Sequence, residues 1–481
     1  MSEMSKNALK SFLLKLDCHF TWNLQKEDIV LHHTEERIDE QLEYLTIKSK
    51  VTLYNLQAYV KHLRDQNEEA LESLKTAEET IQDDYADEIE KRSLVTWGNY
   101  AWIYYHMGRF PDAQSYLDKV EASCKRMSSP FRYKVELPEI ECEKGWSLLK
   151  FGGRYYDRAK ACFEKALESD PEHPEFNTGF AIVMYRMDDF HRDGGHSKSL
   201  SLGPLRKALN LNPESTFVKV LLALKLQDIG EKFEGEKYIK EALEELTSEP
   251  YVLRYAAKFY RREDKPERAL ELLKKALTLA PTSAFLHHQM GLCYRAQMIQ
   301  IKKATRNKPR GKDKQKIEKL IRFAIFHFET AIREKSLFVF AHLDLAGMYS
   351  EEGQLGKAED IFQKGLEIEH VREEEKQQAH FKYGRFLEFH KRDGELAMHH
   401  YIEGIKANPK FCHVLVGALQ NLALRRLNQN SLDAKSLGAL GFIHQLNGEK
   451  KEAIGYYERA LKQDPNNSEY ISALLELGLS I

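Results

Sequence analysis

The sequence predicts an all-α fold, a solenoid of paired helices. A four-position pattern recurs along it: a small residue, another twelve further on, then small or apolar residues four and seven beyond that. Clear copies are Ala58/Ala70/Leu74/Ala77, Ala101/Ala113/Leu117/Val120, Ala257/Ala269/Leu273/Ala276, Ala346/Ala358/Phe362/Gly365 and Gly441/Ala453/Tyr457/Ala460. A Pro often closes the unit five residues later, at Pro171, Pro213, Pro281 and Pro465. Helix breakers are otherwise scarce, with 26 Gly and 13 Pro in 481 residues, and 30 % of residues are charged. That balance suits a mostly helical chain.

The pattern is the tetratricopeptide signature, a helix-turn-helix of about 34 residues. The two small residues let helix A and helix B of a unit cross closely. The apolar positions of helix B seal against the next unit, and the Pro ends helix B. One unit cannot bury its own apolar stripe, so neighbours stack. With the first small residue set as position 8, ten units centre at Ala58, Ala101, Ser147, Gly179, Ala223, Ala257, Gly291, Ala346, Gly384 and Gly441.

Taken in order, residues 1–50 precede the first unit and carry helix-like apolar spacing (Leu9, Phe12, Leu13, Leu16, then Ile38, Leu42, Leu45), which predicts a cap on the solenoid. An extra segment around Met127–Phe131 separates the second and third units. A polar loop at 192–199 delays helix B of the fourth, which resumes at Pro204. The fifth to seventh centres lie 34 residues apart. Residues 302–320 lengthen the seventh hairpin, and Phe411–Asp433 separates the ninth unit from the tenth. These interruptions predict three subdomains, 1–134, 135–282 and 283–481.

Net charge is −2, so a site for nucleic acid has to come from local sorting of charge. No run reaches the ~20 apolar residues of a membrane span, and no leader pattern opens the chain. Six cysteines without a C-x-x-C read as reduced, buried thiols of a cytosolic protein, with no metal site.

In such units the inner wall is built from helix A at roughly positions 2, 5, 9, 12 and 13. The sixth unit then presents Tyr251, Arg254, Lys258, Arg261 and Arg262. The seventh presents Phe285, His288 and Arg295, with Gln289 beside them. Cations interleaved with aromatics suit a single nucleic-acid strand, phosphates pairing with Arg and Lys and unpaired bases stacking on rings. The same residues also read as inter-repeat packing and a solvated face. Lys302–Lys319, with nine basic residues against two acidic, reads by itself as a solvated hairpin. A peptide is the other occupant of such grooves. The version that clamps a C-terminal carboxylate uses Asn at position 9, and none of the ten position-9 residues, from Tyr59 to Phe442, is Asn.

Five segments carry a resemblance: Cys18-His-Phe-Thr-Trp22, Ser93-Leu-Val-Thr-Trp-Gly98, Leu221-Leu-Ala-Leu-Lys-Leu-Gln-Asp228, Arg254-Tyr-Ala-Ala-Lys-Phe-Tyr-Arg-Arg262 and Leu286-His-His-Gln-Met-Gly-Leu-Cys-Tyr294. Across essentially the whole chain it resembles the interferon-induced proteins with tetratricopeptide repeats, cytosolic antiviral effectors. The resemblance implies a positively charged tunnel holding the 5′ end of single-stranded RNA. A 5′-triphosphate, or a cap lacking 2′-O-methylation, is recognised there as non-self, and the RNA is kept from translation. It implies phosphate contacts from Arg37, Gln41, Lys150, Tyr156, Arg186 and Arg254. Strand contacts fall to Tyr255, Arg261, His288, Gln289 and Lys303. Trp146 stacks on the cap guanine, with Leu45, Ile182 and Phe190 lining that pocket. Phe217 and Ile47 depart from the pattern, where a Tyr and a Thr are expected. Tyr457-Glu-Arg-Ala-Leu461 matches a motif for self-association and for binding related family members, although Tyr457 also sits at a repeat core position.

An enzyme has little support. H-E-x-x-H, G-x-S-x-G and the phosphate-binding P-loop are absent, and adjacent His pairs such as His287-His288 point about 100° apart on a helix. No cofactor is implied. The competing reading is a tetratricopeptide scaffold that holds protein partners in innate immune signalling without binding RNA.

Overall fold

The computed structural model of the protein describes residues 3–28, 31–44, 50–190, 199–245, 249–369, 371, 373–409 and 412–478. Arg37 and Phe190 are described in backbone only; Leu45, Ile47 and the polar loop at 191–198 lie outside the described residues. Two helices, α1 (Glu3–Leu13) and α2 (Leu31–Tyr44), precede the first repeat. The helices that follow are α3 (Val51–Leu63), α4 (Asn67–Asp84), α5 (Ile89–His106), α6 (Phe110–Arg126), α7 (Pro138–Phe151), α8 (Tyr156–Ser169), α9 (Pro174–Phe190), α10 (Leu202–Leu211), α11 (Thr216–Asp228), α12 (Lys232–Glu245), α13 (Pro250–Arg262) and α14 (Pro266–Leu279). Then come α15 (Ala284–Ala304), α16 (Gly311–Glu334), α17 (Val339–Glu352), α18 (Leu355–Glu367), α19 (Glu373–Phe386), α20 (Gly394–Ala407), α21 (His413–Gln429), α22 (Ala434–Leu446), α23 (Lys450–Gln463) and α24 (Ser468–Glu476). From α3 to α20 consecutive helices pair as hairpins, and α22 pairs with α23, so ten hairpins correspond to the ten centres read from the sequence.

The small-residue positions do what their size allows. Ala58, Ala70, Ala101, Ala113, Ala346 and Ala358 are completely buried where helices A and B cross. Gly179 takes this to its limit. A Cβ there would sit 2.2 Å from the Phe163 ring, so only Gly lets α9 close onto α8.

Contacts group the chain into two compact units, Met1–Ser283 and Ala284–Ile481, rather than the three subdomains expected from the interruptions. The N-terminal segment is the physical reason that 1–134 and 135–282 form one body. Residues 18–22 plug the seam between α3, α5 and α7. His19 is buried. Its backbone N–H donates to Asn99 Oδ1 of α5 at 3.3 Å, and its Nε2 lies 2.9 Å from Ser147 Oγ of α7. Tyr59 of α3 donates to the Leu24 carbonyl at 2.9 Å, and Arg158 of α8 donates to the Trp22 carbonyl at 2.6 Å. Gly98 makes room for the plug, since a Cβ there would lie 2.9 Å from Cys18 Cβ. The extra segment near 130 therefore lengthens a connection without separating two bodies.

In the second unit the lengthened seventh hairpin is helical nearly throughout. It turns at Arg306 and Asn307, both left-handed with φ of 50° and 59°. The stretch between the ninth and tenth repeats holds α21, whose Leu415, Leu419, Leu422 and Ala423 enter the core. All six cysteines are buried thiols. Among the described residues no helix is long and apolar enough to cross a membrane, and no group of three ligand side chains could hold a metal ion.

Candidate nucleic-acid interface

Helix α13 is sharply two-faced. Val252, Leu253, Ala256, Phe259 and Tyr260 are buried, and Pro250 opens the helix with its first-turn φ preset. Tyr251, Arg254, Tyr255, Lys258 and Arg261 share another face by helical spacing. Arg254 lies over two rings of this face, 4.6 Å from the Tyr251 centroid and 5.0 Å from that of Tyr255. Arg262, also expected in the groove, turns aside to an ion pair with Asp228 of α11 at 3.0 Å.

Tyr255 is buried, and Arg186 of α9 donates a hydrogen bond to its hydroxyl at 3.3 Å. Burial works against ionising this phenol, but Arg186, Arg254 and Lys258 outweigh it and hold the Tyr255 pKa below its ordinary value. The reciprocal effect raises the Arg186 guanidinium: Tyr255 outweighs burial, and Tyr156 and Tyr185 add to it. Phe217 of α11 meets the Tyr255 ring edge-on at 5.8 Å. A pocket that favours a phenolate favours oxyanions, and a phosphate oxygen is one.

The remaining first-unit candidates lie on α2, α7, α8 and α9. Lys150, in the last turn of α7, donates to Gln41 Oε1 of α2, and Gln41 is buried. Trp146, one turn earlier, is half-buried with its ring edge-on to Phe163 at 5.4 Å. Ile182 is buried one turn before Arg186, and Tyr156, opening α8, is half-buried. Arg37 lies on the backbone of α2.

Sequence reasoning missed two buried cations here, Lys219 and Lys225 of α11. Lys225 lies 3.5 Å from Asp188 of α9 and 4.7 Å from the Tyr185 ring. The signal was available, because a Lys inside the apolar run Leu221–Leu226 has to be paired. Asp188 also accepts hydrogen bonds from Ser199 Oγ at 2.7 Å, Leu200 N at 3.0 Å and Ser201 N at 3.1 Å. It thereby ties residues 199–201 to α9.

In the second unit His288 is buried, with Nε2 2.9 Å from Asp344 of α17. The same carboxylate accepts from Arg295 at 3.1 Å and Lys382 of α19 at 2.7 Å. Burial opposes ionisation of Asp344, but Lys382, His288 and Arg295 hold its pKa below the usual carboxylate range. Asp344 was not anticipated from sequence. Lys335 lies 4.7 Å from the Phe285 ring, Gln289 is half-buried, and Lys303 is exposed at the end of α15. Tyr457 is buried in the C-terminal core and donates to Gln445 at 2.9 Å, while Leu461 is half-buried beside it. The core position of Tyr457 is therefore occupied as such, and Leu461 is the more exposed end of the motif.

Models of the tetratricopeptide repeat match residues 149–173 and 434–467. The chain is 54% identical over 458 residues to the human "Antiviral innate immune response effector IFIT1", covering 95% of this chain and 96% of that one. It is 44% identical over 468 residues to the human "Interferon-induced protein with tetratricopeptide repeats 2", covering 96% and 97%. Among solved structures it is similar to an IFIT1 monomeric mutant with Gppp-AAAA, with a TM-score of 0.85, 54% identity and coverage of 95% and 99%. It is also similar to the human IFIT1 dimer with PPP-AAAA, with a TM-score of 0.78, 52% identity and coverage of 94% and 99%.

Proposed function

We propose that this chain, which belongs to the family of interferon-induced proteins with tetratricopeptide repeats, sequesters the 5′ end of non-self single-stranded RNA. The RNA carries a 5′-triphosphate or a cap lacking 2′-O-methylation, and holding its 5′ end blocks its translation. The observation that carries this reading is the Arg186–Tyr255–Arg254–Lys258 cluster, where a buried phenol is pushed toward its anion by three cations. The neighbours solved with Gppp-AAAA and PPP-AAAA agree with a ligand whose 5′ end is anionic.

In this reading Arg37, Gln41, Lys150, Tyr156, Arg186 and Arg254 engage the 5′ phosphates. Burying several phosphates requires paired cations, because an unpaired buried charge is costly. Trp146, Leu45, Ile182 and Phe190 receive the cap base. Tyr251, Tyr255, Lys258, Arg261, His288, Gln289 and Lys303 follow the strand. Tyr156 and Arg186, packed against the first ribose, reject a 2′-O-methyl group by size. No bond is made or broken, so the protein is a binder and not an enzyme. It acts in the cytoplasm and self-associates, in line with the dimeric neighbour.

The test is competition binding with one short RNA bearing a 5′-hydroxyl, a triphosphate, an unmethylated-ribose cap or a methylated-ribose cap. The triphosphate and the unmethylated-ribose cap should win. Equal binding of the 5′-hydroxyl and triphosphate forms would refute the site.

A further inference from the structure

We propose that the exposed face of α16 from Lys312 to Phe326 is a second RNA-binding surface, which holds single-stranded RNA whatever its 5′ end. Between residues 302 and 322 stand ten Lys and Arg against Asp313 and Glu318, in a chain whose net charge is −2. Lys302 is neutralised by Glu351. Lys312, Lys314, Lys316, Lys319 and Arg322 are exposed and make no ion pair among the described residues. Gathering like charge this densely destabilises a helix through its i,i+4 pairs, and a bound polyanion relieves that repulsion.

The orientation of this face is set by the core. Ile317, Leu320, Ile321, Ala324, Ile325 and Phe328 are buried on the other side of α16. That leaves Lys312, Lys316, Lys319 and Phe323 in one exposed row, spaced about one helical turn apart. Phe323 and Phe326 are 40% and 58% exposed. Lys319 Nζ lies 5.5 Å from the Phe323 ring, and Tyr294 and His327 stack beside it with centroids 5.6 Å apart. A row of cations ending in exposed rings pairs phosphates along its length and offers flat surfaces to unpaired bases. The aromatic end favours RNA over an acidic protein segment. Two exposed Phe make a small apolar face for a lipid surface.

The experiment uses the full chain with Arg186→Ala, which removes the 5′-end preference, and a long 5′-hydroxyl single-stranded RNA. Adding Lys312→Glu, Lys316→Glu and Lys319→Glu should weaken binding at least tenfold and flatten the slope of log K against log salt by about 2. Phe323→Ser with Phe326→Ser should weaken it roughly fivefold or more. In the chain that keeps Arg186, the three Lys→Glu changes should leave affinity for a 5′-triphosphate tetranucleotide unaltered, so failure of the 5′-end reading is seen separately. Thermal melting checks that each variant folds. The proposal is overturned if the long RNA does not bind, or if the Lys→Glu changes leave its binding intact. Equal competition by polyglutamate, or by phosphatidylserine vesicles, also overturns it in favour of an acidic protein or a membrane.

Discussion

The phenol of Tyr255 is an acid held among three cations, which makes it a reporter of its own site. Its folded pKa lies below the ordinary value of about 10, so it adds stability as pH rises toward that value and loses it as pH falls through the folded one. Arg186→Ala removes the largest of the three attractions and leaves burial opposed only by Arg254 and Lys258, so the ionisation should move upward. Binding of 5′-triphosphate RNA brings a competing anion to the same cations and should move it in the same direction. Tyrosinate absorbance titrations of the free, bound and mutated protein measure both shifts, and an unchanged titration in Arg186→Ala would disprove the pairing. Arg186→Ala should also abolish the preference for a 5′-triphosphate over a 5′-hydroxyl. Trp146→Ala should weaken capped RNA more than triphosphate RNA; equal losses would assign Trp146 to packing against Phe163. The repeat register had marked Tyr251, Arg254, Lys258, Arg261 and His288 as inward-facing. Lys150 and Arg186 were carried only by resemblance, because their positions near the ends of helices A are ordinary surface in a generic repeat.

At the scale of elements, α9 and α11 are joined by an ion pair that also pins the backbone at 199–201. Hydrogen bonds from Ser201 and Ser199, with Lys225, outweigh burial and hold the Asp188 pKa below its ordinary value. Its stabilising effect is therefore complete above about pH 4 and is lost as pH falls through the folded value. Asp188→Asn takes the nearer carboxylate from buried Lys225, which keeps Asp228 at 3.9 Å, and should cost about 2 kcal/mol. Urea unfolding compared at neutral and acid pH measures this, and a variant as stable as the parent would remove Asp188 from the argument. The hairpin positions were legible in the sequence because crossing points demand small side chains at fixed spacing. The N-terminal plug was legible only as a cap of unspecified placement, since residues 18–22 have no helical period to align.

For the whole molecule, acid sensitivity follows from where the histidines sit. Burial lowers His19 to about 3, and partial burial lowers His327, His380 and His400 to about 4. Each is neutral in the folded state and takes up a proton more readily when unfolded. Stability is therefore lost as pH falls below about 6.5, by up to roughly 1.4 kcal/mol per pH unit for the fully buried His19 and by less for the others, which solvent screens. Thermal melts from pH 7.5 downward should show a steep decline, and a flat profile would contradict this burial. The 5′-end reading adds a salt dependence. With about four phosphates neutralised, log K should fall against log salt with a slope of roughly −3, and a flat response would refute the electrostatic basis of binding. By itself the sequence determined the all-α class, the ten repeats, their register and which side chains of α13 lie together, because spacing along one helix reports which side chains share a face. Only the tertiary structure decided that Arg186 meets Tyr255 69 residues away, that Lys150 meets Gln41, that Asp344 gathers His288, Arg295 and Lys382, and that Met1–Ser283 form one unit. Those pairings depend on how separate helices stack, and a periodic pattern says which face a charge lies on without saying which distant charge it will meet.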